Sequence, residues 1–203
     1  MMAFIGSNGR NATRAGPAAL ALLLALGSSP AAAELQPEEA TLVPLFLETC
    51  TRPDMDAEAM LASVSGSSEW TEVPAPTVYL EGLGQVPSLQ TISFFRHHDS
   101  IRQWRRTVNG RQLTLVIAAL PERARYRHVC VLFAPDIRNA MPYFDAFRDG
   151  MRAINLSGRS TDLPHYLEYG GRLADQRRAH ADIFSRSLGM SGSHTMHIAI
   201  AFE

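Results

Sequence analysis

The chain has 203 residues, with 19 basic and 20 acidic side chains, a formal net charge of −1 and two cysteines. A charge this close to balance argues against a general nucleic-acid or membrane-surface binder. Every basic residue is arginine, which, with the Ala and Gly content, reflects base composition rather than a specialised surface.

Arg10 and Arg14 precede the apolar run "ALALLLAL" (Ala19 to Leu26), and "GSSPAAA" then ends with Ala31 and Ala33 in Ala-x-Ala positions. This is the pattern of a secretory signal peptide. A membrane anchor needs about 20 apolar residues, and Gly27, Ser28, Ser29 and Pro30 interrupt the run too early. No cysteine follows closely enough to carry a lipid. The expected organisation is a signal peptide over 1–33 and a single α+β domain over 34–203, exported to the periplasm or beyond, with no transmembrane segment once the leader is removed. The mature 170 residues carry 17 basic against 20 acidic side chains, a formal net of −3.

"LQPEEATLVPLFLETC" predicts a helix starting near Pro37, with Leu42, Leu45, Phe46 and Cys50 on one face. Pro44 removes a backbone donor, so the helix either begins later or kinks there. "DMDAEAMLASV" predicts a second helix with Asp54 or Asp56 as N-cap and Met60, Leu61 and Val64 apolar. Residues 71–90 are rich in Pro and Gly and predict an irregular or short-stranded connection.

Residues 91–134 read as an antiparallel meander. "TISFFRH" and "IRQWRRTV" flank a turn at Asp99-Ser100, and Asn109-Gly110 is the strongest short hairpin signal. A two-residue loop there pairs Val108 with Arg111, Arg106 with Leu113, Trp104 with Leu115 and Arg102 with Ile117. Trp104, Leu113, Leu115 and Ile117 then share the expected core face with Arg102 and Arg106, which must snorkel or find carboxylates. "RHVCVLFA" is apolar on both faces and suits a central strand. "RNAMPYFDAFRDGMRAI" is an amphipathic helix through Met141, Phe144, Phe147, Met151 and Ile154. Beyond it, "HYLEY" reads as a strand, "RLADQRRAHADIFSRSL" as a last helix, and "HTMHIAIAF" as a closing strand. The fold class is therefore α+β: an antiparallel β-meander sheet with helices packed on one face.

In an oxidising compartment the two cysteines, Cys50 and Cys130, are expected to bridge. Eight arginines (Arg96, Arg102, Arg105, Arg106, Arg111, Arg123, Arg125 and Arg127) face only Asp99 and Glu122 across 96–127. That local excess could engage an acidic protein or anionic ligand if it forms one patch. Strand alternation and helix carboxylates would instead scatter or neutralise it.

His97 and His98 point to opposite faces of a strand, as do His194 and His197. His128, His165 and His180 have no ligand spacing. The expectation is no metal site and no cofactor; a histidine-dependent metalloenzyme is the third-ranked reading. Neither "SVSGS" nor "GMSGS" matches a hydrolase nucleophile turn. Asp145, Asp149 and Glu168 have no spacing that pairs them as glycosidase carboxylates, and Asn155-Leu156-Ser157 matches a glycosylation acceptor.

"FLETC", Trp70 after a second small helix, Trp104 in a strand and "HVCVLF" before a helix and later strands together resemble a group of small exported bacterial two-cysteine proteins of unassigned function. The resemblance spans roughly Leu45 to Phe202. It implies an α+β periplasmic domain with Cys50 bridged to Cys130 and brings no catalytic residue. The sequence thus reads as an exported, non-enzymatic domain, envelope-associated or binding a small molecule or protein. The alternative is an inhibitor or accessory protein acting through Arg96 to Arg127.

Overall fold

A computed structural model describes residues 41–51, 57–74, 99–163, 165–187 and 194–203. The leader at 1–33, the Asp54 and Asp56 caps, "TISFFRH" with Arg96, His97 and His98, and "GMSGS" lie outside the described residues. The elements in chain order are α1 (Leu42–Cys50), α2 (Ala57–Ser65), β1 (Thr71–Val73), β2 (Ser100–Val108), β3 (Arg111–Ala119), β4 (His128–Ile137), α3 (Met141–Ala153), β5 (Gly158–Leu163), β6 (Tyr166–Arg172), β7 (Arg178–Ser187) and β8 (His194–Phe202).

The strands form one antiparallel sheet in the order β1-β2-β3-β4-β8-β7-β6-β5. It is two meanders, β1 to β4 and β5 to β8, joined where β4 pairs with β8. Helix α3 connects them. Asn109, at φ 51°, and Gly110, at φ 77°, make the β2–β3 turn. The resulting register pairs Val108 with Arg111, Trp104 with Leu115 and Arg102 with Ile117, as the two-residue loop predicts. β4 is central, between β3 and β8.

The three helices cover one face. Phe46, Met60, Val64, Phe144, Phe147 and Met151 pack in one buried cluster with Trp104, Leu115, Leu132, Ile183, Ile198 and Ile200 of the sheet. Helix α1 begins at Leu42, so Pro44 falls in its first turn, where the missing N–H has no partner to lose. Met141, expected on the apolar face of α3, is instead 58% exposed, because the helix starts there, outside the contact. Further along, α1 packs on α3 at Gly150, where a β-carbon would come within 2.7 Å of Leu47 Cδ1.

The Cys50–Cys130 disulfide ties the end of α1 to the helix-facing side of β4, with Cα atoms 5.7 Å apart and both sulfurs buried. Closing a loop of this length stabilises a fold by about 4 kcal/mol on chain-entropy grounds.

Two local readings change. Residues 173–187 are a turn and strand β7, not a helix. Their alternation decides it: Ala179, Ala181 and Ile183 join the helix-side core while His180 and Asp182 face the other way. The apolar residues that suggested a helix, Leu173, Ile183, Phe184 and Leu188, hold a single four-residue step, from Phe184 to Leu188. The turn is set by Asp175, whose Oδ1 accepts from Arg177 N at 3.0 Å, and by Gln176 at φ 69°. The second change is β5, which occupies part of the region read as broken after α3.

Candidate functional site

The face of the sheet opposite the helices is buried over its middle, with a different composition. Val116, Ala118, Val129, Val131, Ala199 and Ala201 form a second apolar cluster near its middle, joined by Leu120 and Tyr126 from the β3–β4 connection. Toward β6 and β7 the same face becomes polar. Asp182 lies opposite Ala199 and Phe184 opposite His197, so Asp182 and His197 are diagonal neighbours. His197 Nε2 lies 3.1 Å from Asp182 Oδ1, with 4% and 2% of the two side chains exposed. One register step away, Glu168 of β6 faces Asp182, and His180 Nε2 lies 3.0 Å from Glu168 Oε1.

The two histidine–carboxylate pairs are not equivalent. His197 and Asp182 have hydrogen-bond geometry, and the rings of Phe133 and Phe184 lie 6.2 and 5.2 Å away, centre to centre. His180 and Glu168 are close enough for a charge contact when the imidazole is protonated, yet lack the alignment of a hydrogen bond, and the buried Nε2 has no hydrogen-bond partner. An unmet buried donor or acceptor costs about 1–3 kcal/mol. The difference matters because His180 lines a cleft and His197 does not.

That cleft has a volume of about 380 Å³, at the lower end of the range common for small-molecule sites. His180, Glu168, Gly170 and Tyr126 make its inner wall, and Arg125, Arg172 and Arg178 stand at its rim. Register places these residues together: Glu168, Gly170 and Arg172 alternate along β6, Arg178 and His180 along β7, and the β3–β4 connection brings Arg125 and Tyr126 across. The Tyr126 and His180 rings are 6.1 Å apart. Burial pushes the Tyr126 phenol above its ordinary pKa, with Glu203 and Glu168 adding to the rise and Arg125 and Arg178 opposing it. It therefore stays protonated through the neutral range and can donate a hydrogen bond.

Arg125 and Arg178 converge on one atom. Arg125 Nε is 3.4 Å and Arg178 Nη1 3.5 Å from Glu203 Oε1, both at the long end of a hydrogen bond. Arg172 Nη1 donates to the Gln176 carbonyl at 2.8 Å.

Of the described members of the arginine-rich segment, only Arg125 lines the cleft. Arg102 and Arg106 stand on the helix-facing side of β2. Arg102 forks onto Glu72 at 2.8 and 2.6 Å, and Arg106 meets Glu69 at 2.7 Å. Their guanidiniums also lie over the Trp104 and Trp70 rings, at 5.1 and 5.8 Å. These carboxylates and rings resolve the tension of two charges on an apolar face. Glu72 is held below the usual carboxylate range, first by its hydrogen bond from Arg102. Arg111 donates to the Asp136 carbonyl and Arg127 lies 3.9 Å from Glu122. Arg105 takes the opposite face of β2 from Arg102 and Arg106, and Arg123 is in the β3–β4 connection. The described members of the segment thus occupy both faces and a loop.

The remaining candidates do not assemble. Asp145 and Asp149 pair with Arg148 and Arg152 on the exposed side of α3, away from Glu168. Ser185 and His194 form a 3.0 Å hydrogen bond. They lie on the helix-facing side, however, so the sheet separates them from the Asp182–His197 pair and no triad is formed. Among the described residues no group of three His, Cys, Asp or Glu side chains could hold a metal, and no helix is long and apolar enough to cross a membrane. Comparison with known proteins gave no matching family, no matching curated protein and no matching solved structure.

The cleft's Arg172, Arg178 and Gly170 had no sequence signal that joined them. Glu168 and His180 were visible only as an isolated carboxylate and an isolated ring. What unites them is the β6–β7 register, in which Gly170 faces His180 and leaves room above it.

Proposed function

We propose that the protein is an exported, non-enzymatic domain that works by binding a small molecule in the cleft between β6, β7 and the β3–β4 connection. The observation that carries this reading is the cleft itself. It gathers three arginines, a phenol, a carboxylate and a buried imidazole around about 380 Å³. No nucleophile aligned with a base lines it, which favours holding a ligand over transforming one. Export rests on the leader pattern at 1–33 and agrees with a fully buried disulfide.

Two measurements test the reading. Protein recovered from the envelope of its own cells should begin near Glu34; recovery from the cell interior with Met1 or Met2 at its start would overturn export. Native mass spectrometry should find a small molecule retained from envelope extract by the wild type and lost from Gly170→Val. A β-carbon at Gly170 meets His180 Nδ1 at 3.9 Å and the Gly158 carbonyl at 4.0 Å, ordinary contacts, so that position accepts a β-carbon, and valine's methyls add bulk at the cleft wall. Equal retention by both proteins would overturn the cleft as the site.

A further inference from the structure

We infer that the cleft's ligand is a small oxyanion, a carboxylate or phosphoryl group with a hydroxyl or ammonium beside it, and that it takes the place on Arg125 and Arg178 now held by the Glu203 side chain. The inference rests on the cleft being a binding site and adds what it binds.

Three observations point the same way. First, two rim guanidiniums from separate parts of the chain converge on a single oxygen, Glu203 Oε1, at 3.4 and 3.5 Å. A carboxylate can therefore be reached by both at once, and the length of both contacts leaves room for a better acceptor. The Arg125, Arg178 and Glu203 side chains are 67%, 49% and 31% exposed, so a ligand group can exchange with the glutamate through solvent. Second, His180 is only 7% exposed and lines the cleft, with Nε2 buried 3.0 Å from Glu168 Oε1, so the imidazole stands in the wall beside the carboxylate that a ligand would meet. Third, Glu168 sits within the same wall. A bare anion would be repelled by this carboxylate, whereas an O–H or N–H next to the anionic group would be accepted by it.

The charge arrangement agrees with a ligand of mixed character. Arg125, Arg172 and Arg178 exceed Glu168 and Glu203 by only one charge. Such a site does not attract polyanions in general. Glu203 then acts as an internal competitor that keeps the rim arginines ordered between occupancies.

Isothermal titration calorimetry on the disulfide-bonded protein, with four probes, tests this. Malate and glycerol 3-phosphate carry both an oxyanion and a hydroxyl; acetate carries only the first and glycerol only the second. Malate, glycerol 3-phosphate or both should bind more tightly than acetate and glycerol, and the stronger of the two identifies carboxylate or phosphoryl as the preferred group. Glu203→Gln should then tighten binding about two- to fivefold, the size of a lost exposed ion pair. Arg178→Gln should weaken it about tenfold or more. Glu122→Gln, which removes an exposed carboxylate 3.9 Å from Arg127, should change nothing. Equal affinity of Glu203→Gln and wild type, or equal tightening by Glu122→Gln, would overturn the inference, as would no binding of either two-group probe. Glycerol binding as well as malate, with Gly170→Val abolishing both, would leave the cleft a binding site and sink the oxyanion claim alone.

Discussion

On the helix side the sheet presents Trp104, Leu115, Leu132, Ile183, Ile198 and Ile200 to Phe46, Phe147 and Met151, and the buried side chains there are almost all apolar. On the opposite side valines and alanines near β3 and β4 give way, toward β6 and β7, to Glu168, His180, Asp182 and His197. Both faces bury side chains, the helix side with few polar ones, such as Ser185 bonded to His194, and the other with two histidine–carboxylate pairs. Apolar burial contributes about 25 cal/mol per Å² without any directional demand. Buried ionisable groups contribute little net stability and confine geometry instead. The contrast places most of the large apolar packing on the helix side and the buried histidine–carboxylate pairs on the other.

The strongest break in that contrast is on the helix side. Replacing both Cys50 and Cys130 with alanine should cost about 4 kcal/mol of unfolding free energy, read by denaturant titration, because the closed loop is lost. On the other face, Asp182→Ala should cost about 3 kcal/mol by leaving buried His197 without its partner. Exchanging the pair for apolar residues, Asp182→Val with His197→Phe, should recover most of that loss if the pair serves specificity rather than stability. A smaller effect comes from Gly150→Ala: the shift it forces on the Leu47 Cδ1 methyl is offset by a helix-propensity gain of about 1 kcal/mol, so the net change should stay within about 1 kcal/mol. The smallest is at Tyr126. Its folded pKa is raised, so its contribution is intact below about pH 10, where the unfolded phenol titrates, and is lost as pH rises through the higher folded value. Tyr126→Phe should therefore flatten the fall in melting temperature between pH 9 and 11, leaving the neutral range unchanged.

Legibility in the sequence follows the same division. The Asn109-Gly110 turn, the register it sets, the doubly apolar "HVCVLF" strand and the α3 stripe were readable because each has a strong local period or turn signal. Strand β7 was not. Its helix-side positions are Ala179, Ala181, Ile183 and Ser185, small or polar except for Ile183, and its other side carries His180 and Asp182. Neither face spells an apolar alternation, and a helix was the nearer pattern. The cleft was hidden for a related reason. Its members come from β6, β7 and a distant connection, so only pairing brings Glu168 beside His180 and Arg125 beside Arg178. The arginine excess of 96–127 was visible, but the carboxylates that meet Arg102 and Arg106 come from residues 72 and 69.

The division of labour between the faces is tested most directly by the melting-temperature shift that the tighter-binding of malate and glycerol 3-phosphate produces in Met151→Ala and Arg178→Gln, measured beside the wild type. Met151→Ala should melt lower than wild type and keep the full shift, while Arg178→Gln should melt with the wild type and show a much smaller shift at the same probe concentration. A full shift in Arg178→Gln, or its loss in Met151→Ala, would contradict the account.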